Sequence, residues 1–108
     1  MTTFDHKEIN DVIHGRVRLA IMSCLASAPP EDSGETAGVD FTQLKQQINV
    51  SDGNLSTHMT KLEEAGYLEI TKQFKGKRPQ TICRLTPAGR EAFLAYVAHL
   101  ESLLPPKL

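Results

Sequence analysis

Two short helical periodicities, separated by only three or four residues, constrain this chain more than any other feature. In "TQLKQQIN", Leu44 and Ile48 recur one helical turn apart. In "SDGNLSTHMTKLEEAG", Leu55, Met59 and Leu62 fall within about 60° of one another on a helix advancing about 100° per residue. Thr42 is placed to cap the first helix and Ser51 the second. Asn49 tolerates the left-handed conformation that ends a helix, and Gly66 supplies the second stop. Val50 is the lone apolar residue in the turn. Two short helices joined this closely form a helix-turn-helix.

The flanking segments predict what the pair packs against. "HGRVRLAIMSCLAS" carries Val17, Leu19, Ile21, Met22, Cys24 and Leu25, apolar nearly all round, as a central buried helix would. Gly15 separates it from an apolar turn containing Ile9, Val12 and Ile13. Residues 28–40, rich in proline, glycine and acids, read as a long mobile loop, and "VDF" as a short strand or an extended lead-in. "YLEITKQF" and "TICRLT" each alternate, with Leu68, Ile70 and Phe74 on one face of the first and Thr81, Cys83 and Leu85 on one face of the second. Around "KGKRPQ" they predict a β-hairpin whose loop exceeds two residues, with Pro79 at an edge or tip. "TPAGREAFLAYVAHLESLL" predicts a final helix, capped by Thr86 with Pro87 in its first position. Phe93, Val97, Leu100 and Leu104 would cover the core, leaving Tyr96 and Leu103 as a second stripe. The expected architecture is one domain over 1–108, mainly α with a small β-hairpin wing (α+β). Its order is helix, helix-turn-helix, β-hairpin, C-terminal helix.

Several function classes find no support. No apolar run approaches the ~20 residues that cross a bilayer, and "MTTFDHKEIN" lacks an apolar signal segment, so a cytoplasmic protein is expected. Cys24 and Cys83 match no metal or redox spacing. There is no nucleophile-elbow serine, phosphate-binding glycine loop or metal motif, and neither catalytic residues nor a cofactor are expected. The net charge of −1 is neutral on a polyanionic partner, but its distribution is not: residues 53–84 hold six basic against three acidic side chains, and the remainder is acidic.

The outer arc of the second helix carries Gly53, Asn54, Thr57, Thr60, Lys61 and Glu64, with Ser56 at its margin. Long charged residues favour helix more than Ser, Thr or Asn do, and glycine in a first turn costs up to about 1 kcal/mol. Small polar side chains let a helix approach the major groove of duplex DNA, about 12 Å wide, while offering donors and acceptors to base edges. The alternatives are a solvated face beside a cap and a surface that binds an acidic protein. Lys75, Lys77 and Arg78 crowd the hairpin tip, where they suit flanking phosphates or the minor groove. They equally suit protection of a sheet edge.

The segments "RVRLAIMSCL" and "FTQLKQQINVSDGNLSTHMTKLEEAGYLEITKQFKGKRPQTICRLTPAGREAF" together resemble the winged-helix transcriptional regulators of the MarR/ArsR-like group, in their small single-domain branch. The likeness covers nearly the whole chain except the 28–40 loop and the two ends. It implies a homodimeric regulator of double-stranded DNA, usually a repressor. The helix beginning at Ser51 would enter the major groove, "KGKRPQ" would be the wing, and Thr42 and Gln43 would touch phosphate. Metal sensing does not carry over, because Cys24 stands alone and His6, His14, His58 and His99 are scattered. No polar set names a small-molecule effector. Ile9, Val12 and Ile13, with Tyr96, Leu100 and Leu103 of a dimerisation helix at about 87–104, are expected to pair two copies about a two-fold axis. Such pairing sets two reading helices roughly 34 Å apart on a palindromic site.

Overall fold

The computed structural model describes residues 10, 12–13, 15–28 and 38–104. Ile9, His6, His14 and most of the 28–40 loop lie outside the described residues. The elements are α1 (Arg16–Ala26), β1 (Val39–Asp40), α2 (Phe41–Ile48), α3 (Asp52–Glu64), β2 (Leu68–Lys75), β3 (Arg78–Leu85) and α4 (Pro87–Leu103). The chain is therefore a winged helix-turn-helix, with the short strand β1 added to the expected hairpin. No helix among the described residues is long and apolar enough to cross a membrane.

α1 is the hub. It packs on α2, α3, α4 and β3, burying Ile21, Met22 and Leu25. Leu44, Leu55, Met59 and Leu62 meet it from the helix-turn-helix. The turn is built as its residues suggest. Asn49 ends α2 in the left-handed region at φ 61°, and Ser51 Oγ accepts from the Asn54 amide at 3.2 Å. A Lys45–Asp52 ion pair spans the two helices. α3 closes with a Schellman motif: Gly66, at φ 82°, donates to the Glu63 carbonyl, and Tyr67 donates to Leu62. Thr42 does not cap α2. The cap is Asp40, whose carboxylate accepts from the Thr42 amide at 2.7 Å. The cap falls two residues earlier because β1 delivers an extended Asp40 directly in front of the helix, and aspartate is among the strongest N-caps.

The sheet has the order β1-β3-β2, antiparallel throughout, with Val39 opposite Cys83 and Leu68 opposite Leu85. The hairpin turn is tighter than its sequence suggests. Lys75 pairs with Arg78, so only Gly76 and Lys77 form the turn, with Gly76 at φ 66° as a two-residue turn of the II′ class requires at its first position. Pro79 enters β3 because its position opposite Phe74 is a non-hydrogen-bonded one. Its missing N–H faces away from β2, beyond the point where β1 ends. The strands thus run past the core. Phe74 keeps the face of Leu68 and Ile70 yet is 73% exposed.

α4 is rotated from expectation. Tyr96 is buried in the protomer's own core, and Ile13 is fully buried there too. Neither is available for pairing with a second copy. Leu104, expected inside, is 65% exposed, and Leu94 is 57% exposed. The cause is Gly89: a Cβ there would overlap the Tyr67 carbonyl, so this side of the helix lies flat on the chain entering β2. Ala92, Phe93, Tyr96 and Leu100 follow Gly89 around the same side and pack on the core.

Candidate nucleic-acid interface

The sequence-derived candidates on α3, α2 and the hairpin are all solvent-exposed, and Gln43 lines a separate cleft beside Cys24 and Gln47. Ser51, Gly53, Asn54, Ser56, Thr57, Thr60 and Lys61 are all exposed on α3. Thr42 and Gln43 are exposed at the start of α2, and Lys75, Lys77 and Arg78 at the hairpin tip. Two shallow clefts join these elements. One, of about 470 Å³, lies between α3 and the hairpin and is lined by Ser56, Thr60, Lys72 and Thr81 among others. The other, of about 210 Å³, is lined by Thr42 of α2 and by Lys75, Arg78, Pro79 and Gln80 of the hairpin.

α3 is held from behind. Arg18 Nε donates to His58 Nδ1 at 3.1 Å, tying α1 to the shoulder of α3. Gln80 links the hairpin to the cap of α2: its Nε2 donates to Asp40 Oδ2 at 2.8 Å, and its Oε1 accepts from Gln73 at 3.2 Å. The Gln80 amide, helped by the Thr42 amide, holds the Asp40 carboxyl below its usual range. On the outer face of α3 the hydroxyls bond backward. Thr57 donates to the Gly53 carbonyl and Thr60 to the Ser56 carbonyl, each at 2.9 Å. Asn54 keeps its carboxamide exposed.

Basic side chains on this surface are available, alongside Glu63 in the α3–hairpin cleft and Asp52 and Glu64 on α3. Among the described residues none of Lys61, Lys72, Lys75, Lys77 or Arg78 is held in an ion pair. Lys72 belongs to this surface although no sequence motif marks it. The alternation that places Ile70 on the core side places Lys72 there also, and the wing carries it out beside α3.

The cysteines take no part in this surface. Burial, with the nearby carboxylates of Asp40 and Glu63, pushes the Cys83 thiol up to about 12. Burial also raises Cys24, whose Sγ donates to Gln47 Oε1 at 2.8 Å. Among the described residues no group of histidines, cysteines and carboxylates is arranged to hold a metal.

A helix-turn-helix with an exposed second helix, flanked by a basic two-stranded wing, defines a winged-helix nucleic-acid-binding domain. The chain belongs to the winged helix DNA-binding domain family, whose model matches residues 17–104. Among solved structures it is similar to a transcriptional regulator homologue from Pyrococcus horikoshii, at TM-score 0.77 and 26% identity over 90% of each chain. A MarR-family transcriptional regulator from Silicibacter pomeroyi shares the fold at TM-score 0.61 and 19% identity, over 89% of this chain and 58% of that one. So does NadR in complex with 4-hydroxyphenylacetate, at TM-score 0.65 and 21% identity, over 88% and 61%. An uncharacterized protein of Methanocaldococcus jannaschii is 41% identical over 64 residues, which are 59% of this chain and 70% of that protein.

Proposed function

We propose that the protein is a homodimeric transcriptional repressor that reads a palindromic duplex operator. α3 lies in the major groove, and the hairpin rests its tip on the flanking minor groove or phosphates. Thr42, Gln43 and Ser51 lie against the sugar-phosphate backbone, while Asn54, Ser56, Thr57 and Thr60 face base edges. Lys61, Lys75, Lys77 and Arg78 neutralise phosphates.

Gly53 carries this reading. A Cβ at Gly53 would meet nothing within 4 Å, and its φ is not left-handed. Neither packing nor backbone conformation asks for glycine there, and helix propensity disfavours it. An outside surface that must come close to the backbone accounts for it, and a duplex groove is such a surface. The unpaired cations alongside support a polyanion as that outside surface.

Pairing is assigned to Leu94, Val97 and Leu104, which share one stripe of α4; Leu94 and Leu104 are exposed and Val97 half-buried. A two-fold pair joined there presents two copies of α3 to successive turns of one groove. Repression follows from occlusion of the duplex such a pair covers.

The test is enrichment from a random duplex library, with the mass of the complex measured in solution. The expected product is an inverted repeat bound by two copies. If the pair neutralises about eight phosphates, log K falls with log salt concentration at a slope near −7. An affinity for acidic proteins with no enriched duplex would overturn the proposal.

A further inference from the structure

We infer that Thr57 and Thr60 select adenine–thymine pairs, reading the thymine methyl groups with their own methyls; the inference rests on the major-groove placement of α3. Both residues are exposed and stand three apart on the same face of the helix. A threonine side chain offers one proton, two lone pairs and one methyl. In this helix each proton is already committed, Thr57 to the Gly53 carbonyl and Thr60 to the Ser56 carbonyl at 2.9 Å. What faces outward is therefore an acceptor and a methyl, with no donor.

That surface suits an adenine–thymine pair better than a guanine–cytosine pair. In the major groove an adenine–thymine pair presents the adenine amino donor and the thymine methyl together. The acceptor and the methyl of one threonine match both. Guanine presents two acceptors, N7 and O6, and is read by donors, above all by arginine. A hydroxyl that has spent its proton gives guanine nothing, and α3 contains no arginine; cytosine's amino group can still meet the acceptor, so the thymine methyl is what separates the two pairs. Thr57 and Thr60 are about 4.5 Å apart along the helix axis, against about 3.4 Å between stacked base pairs. The offset is close to one base-pair step, so neighbouring pairs are the placement it favours. Backward hydroxyl bonds also occur simply to satisfy a hydroxyl within a helix. In that case the methyls would carry no sequence preference, and this is the difference to be measured.

The half-site recovered from a random duplex library is resynthesised with deoxyuridine in place of thymine, one position at a time. Only the C5 methyl is lost. The wild-type protein is expected to bind about fourfold more weakly at two neighbouring positions, the loss of one buried methyl at each. Thr57→Ser should abolish the loss at one position and Thr60→Ser at the other. Thr57→Val and Thr60→Val, which keep the methyl, should retain it. Deoxyuridine duplexes bound as tightly as thymine duplexes would overturn the inference, as would guanine–cytosine pairs at the centre of the recovered half-site. A selection that enriches no duplex at all overturns the DNA reading itself. An enriched duplex indifferent to its methyls overturns only the threonine assignment.

Discussion

Gly53 and Gly89 each stand in the first turn of a helix, and they answer to different demands. A side chain at Gly89 would overlap the Tyr67 carbonyl, so the fold requires that glycine. A side chain at Gly53 would reach open space. Gly53→Ala is therefore expected to raise stability by up to about 1 kcal/mol, visible as a higher melting temperature, while weakening binding to the selected duplex. Equal binding by the alanine variant would leave Gly53 with no part in the approach to DNA. Asn54→Ala should cost about 1–3 kcal/mol at a single base position and leave the others unchanged, as measured by binding to a panel of point-substituted operators. Asp40 has a pH signature. Its carboxyl is held below the ordinary range, so the stability it contributes is present above that range and is lost as pH falls through its folded value. The stability difference between wild type and Asp40→Asn, measured by denaturant unfolding, is expected to shrink as pH drops below about 4.

At the scale of elements, local signals specify the helix-turn-helix closely, and non-local ones set the rest. Asn49, Ser51 and Gly66 act within a residue or two of themselves, and each has the role its chemistry suggests. The cap of α2 falls on Asp40 rather than Thr42 because β1, which orients Asp40, exists only through its pairing with Cys83 and Ile82. The hairpin turn is shorter than a proline nearby suggests. Pro79 is tolerated in β3 only through its register opposite Phe74, which no local pattern reveals. Periodicity displaces the core stripe of α4 toward Leu104, since Leu is as apolar as Tyr and only the close approach at Gly89 decides between them. The wing supports a prediction of its own. Lys77→Ala combined with Arg78→Ala should weaken all duplexes alike and reduce the salt slope by about one per lost phosphate contact. A loss confined to one sequence would contradict the wing's assignment to the backbone.

For the whole molecule, the question is how elements distant in sequence come to share one surface. The clefts between α3, α2 and the wing depend on sheet register and on the Gln80–Asp40 hydrogen bond, neither of which a periodicity can show. The candidates on α3 and at the wing tip are legible one by one in the sequence; their convergence is not. Pairing is likewise a property of the whole. Ile13 and Tyr96 belong to the protomer's core, so the proposed pairing falls to the outer stripe of α4. Leu94→Glu is expected to change the stability of the protomer by no more than about 0.5 kcal/mol, as surface substitutions usually do. It should also convert the solution species to a monomer that binds half-sites only weakly. A dimer that survives Leu94→Glu would place the interface elsewhere.

The central claim, that α3 and the wing form the contact with duplex DNA, is tested most directly by following backbone amide resonances as the selected duplex is added. Shifts concentrated at residues 42–43, 51–61 and 75–80, with the outer stripe of α4 unmoved by DNA, are the expected result. Shifts on α4 or β1 with α3 unchanged would contradict it.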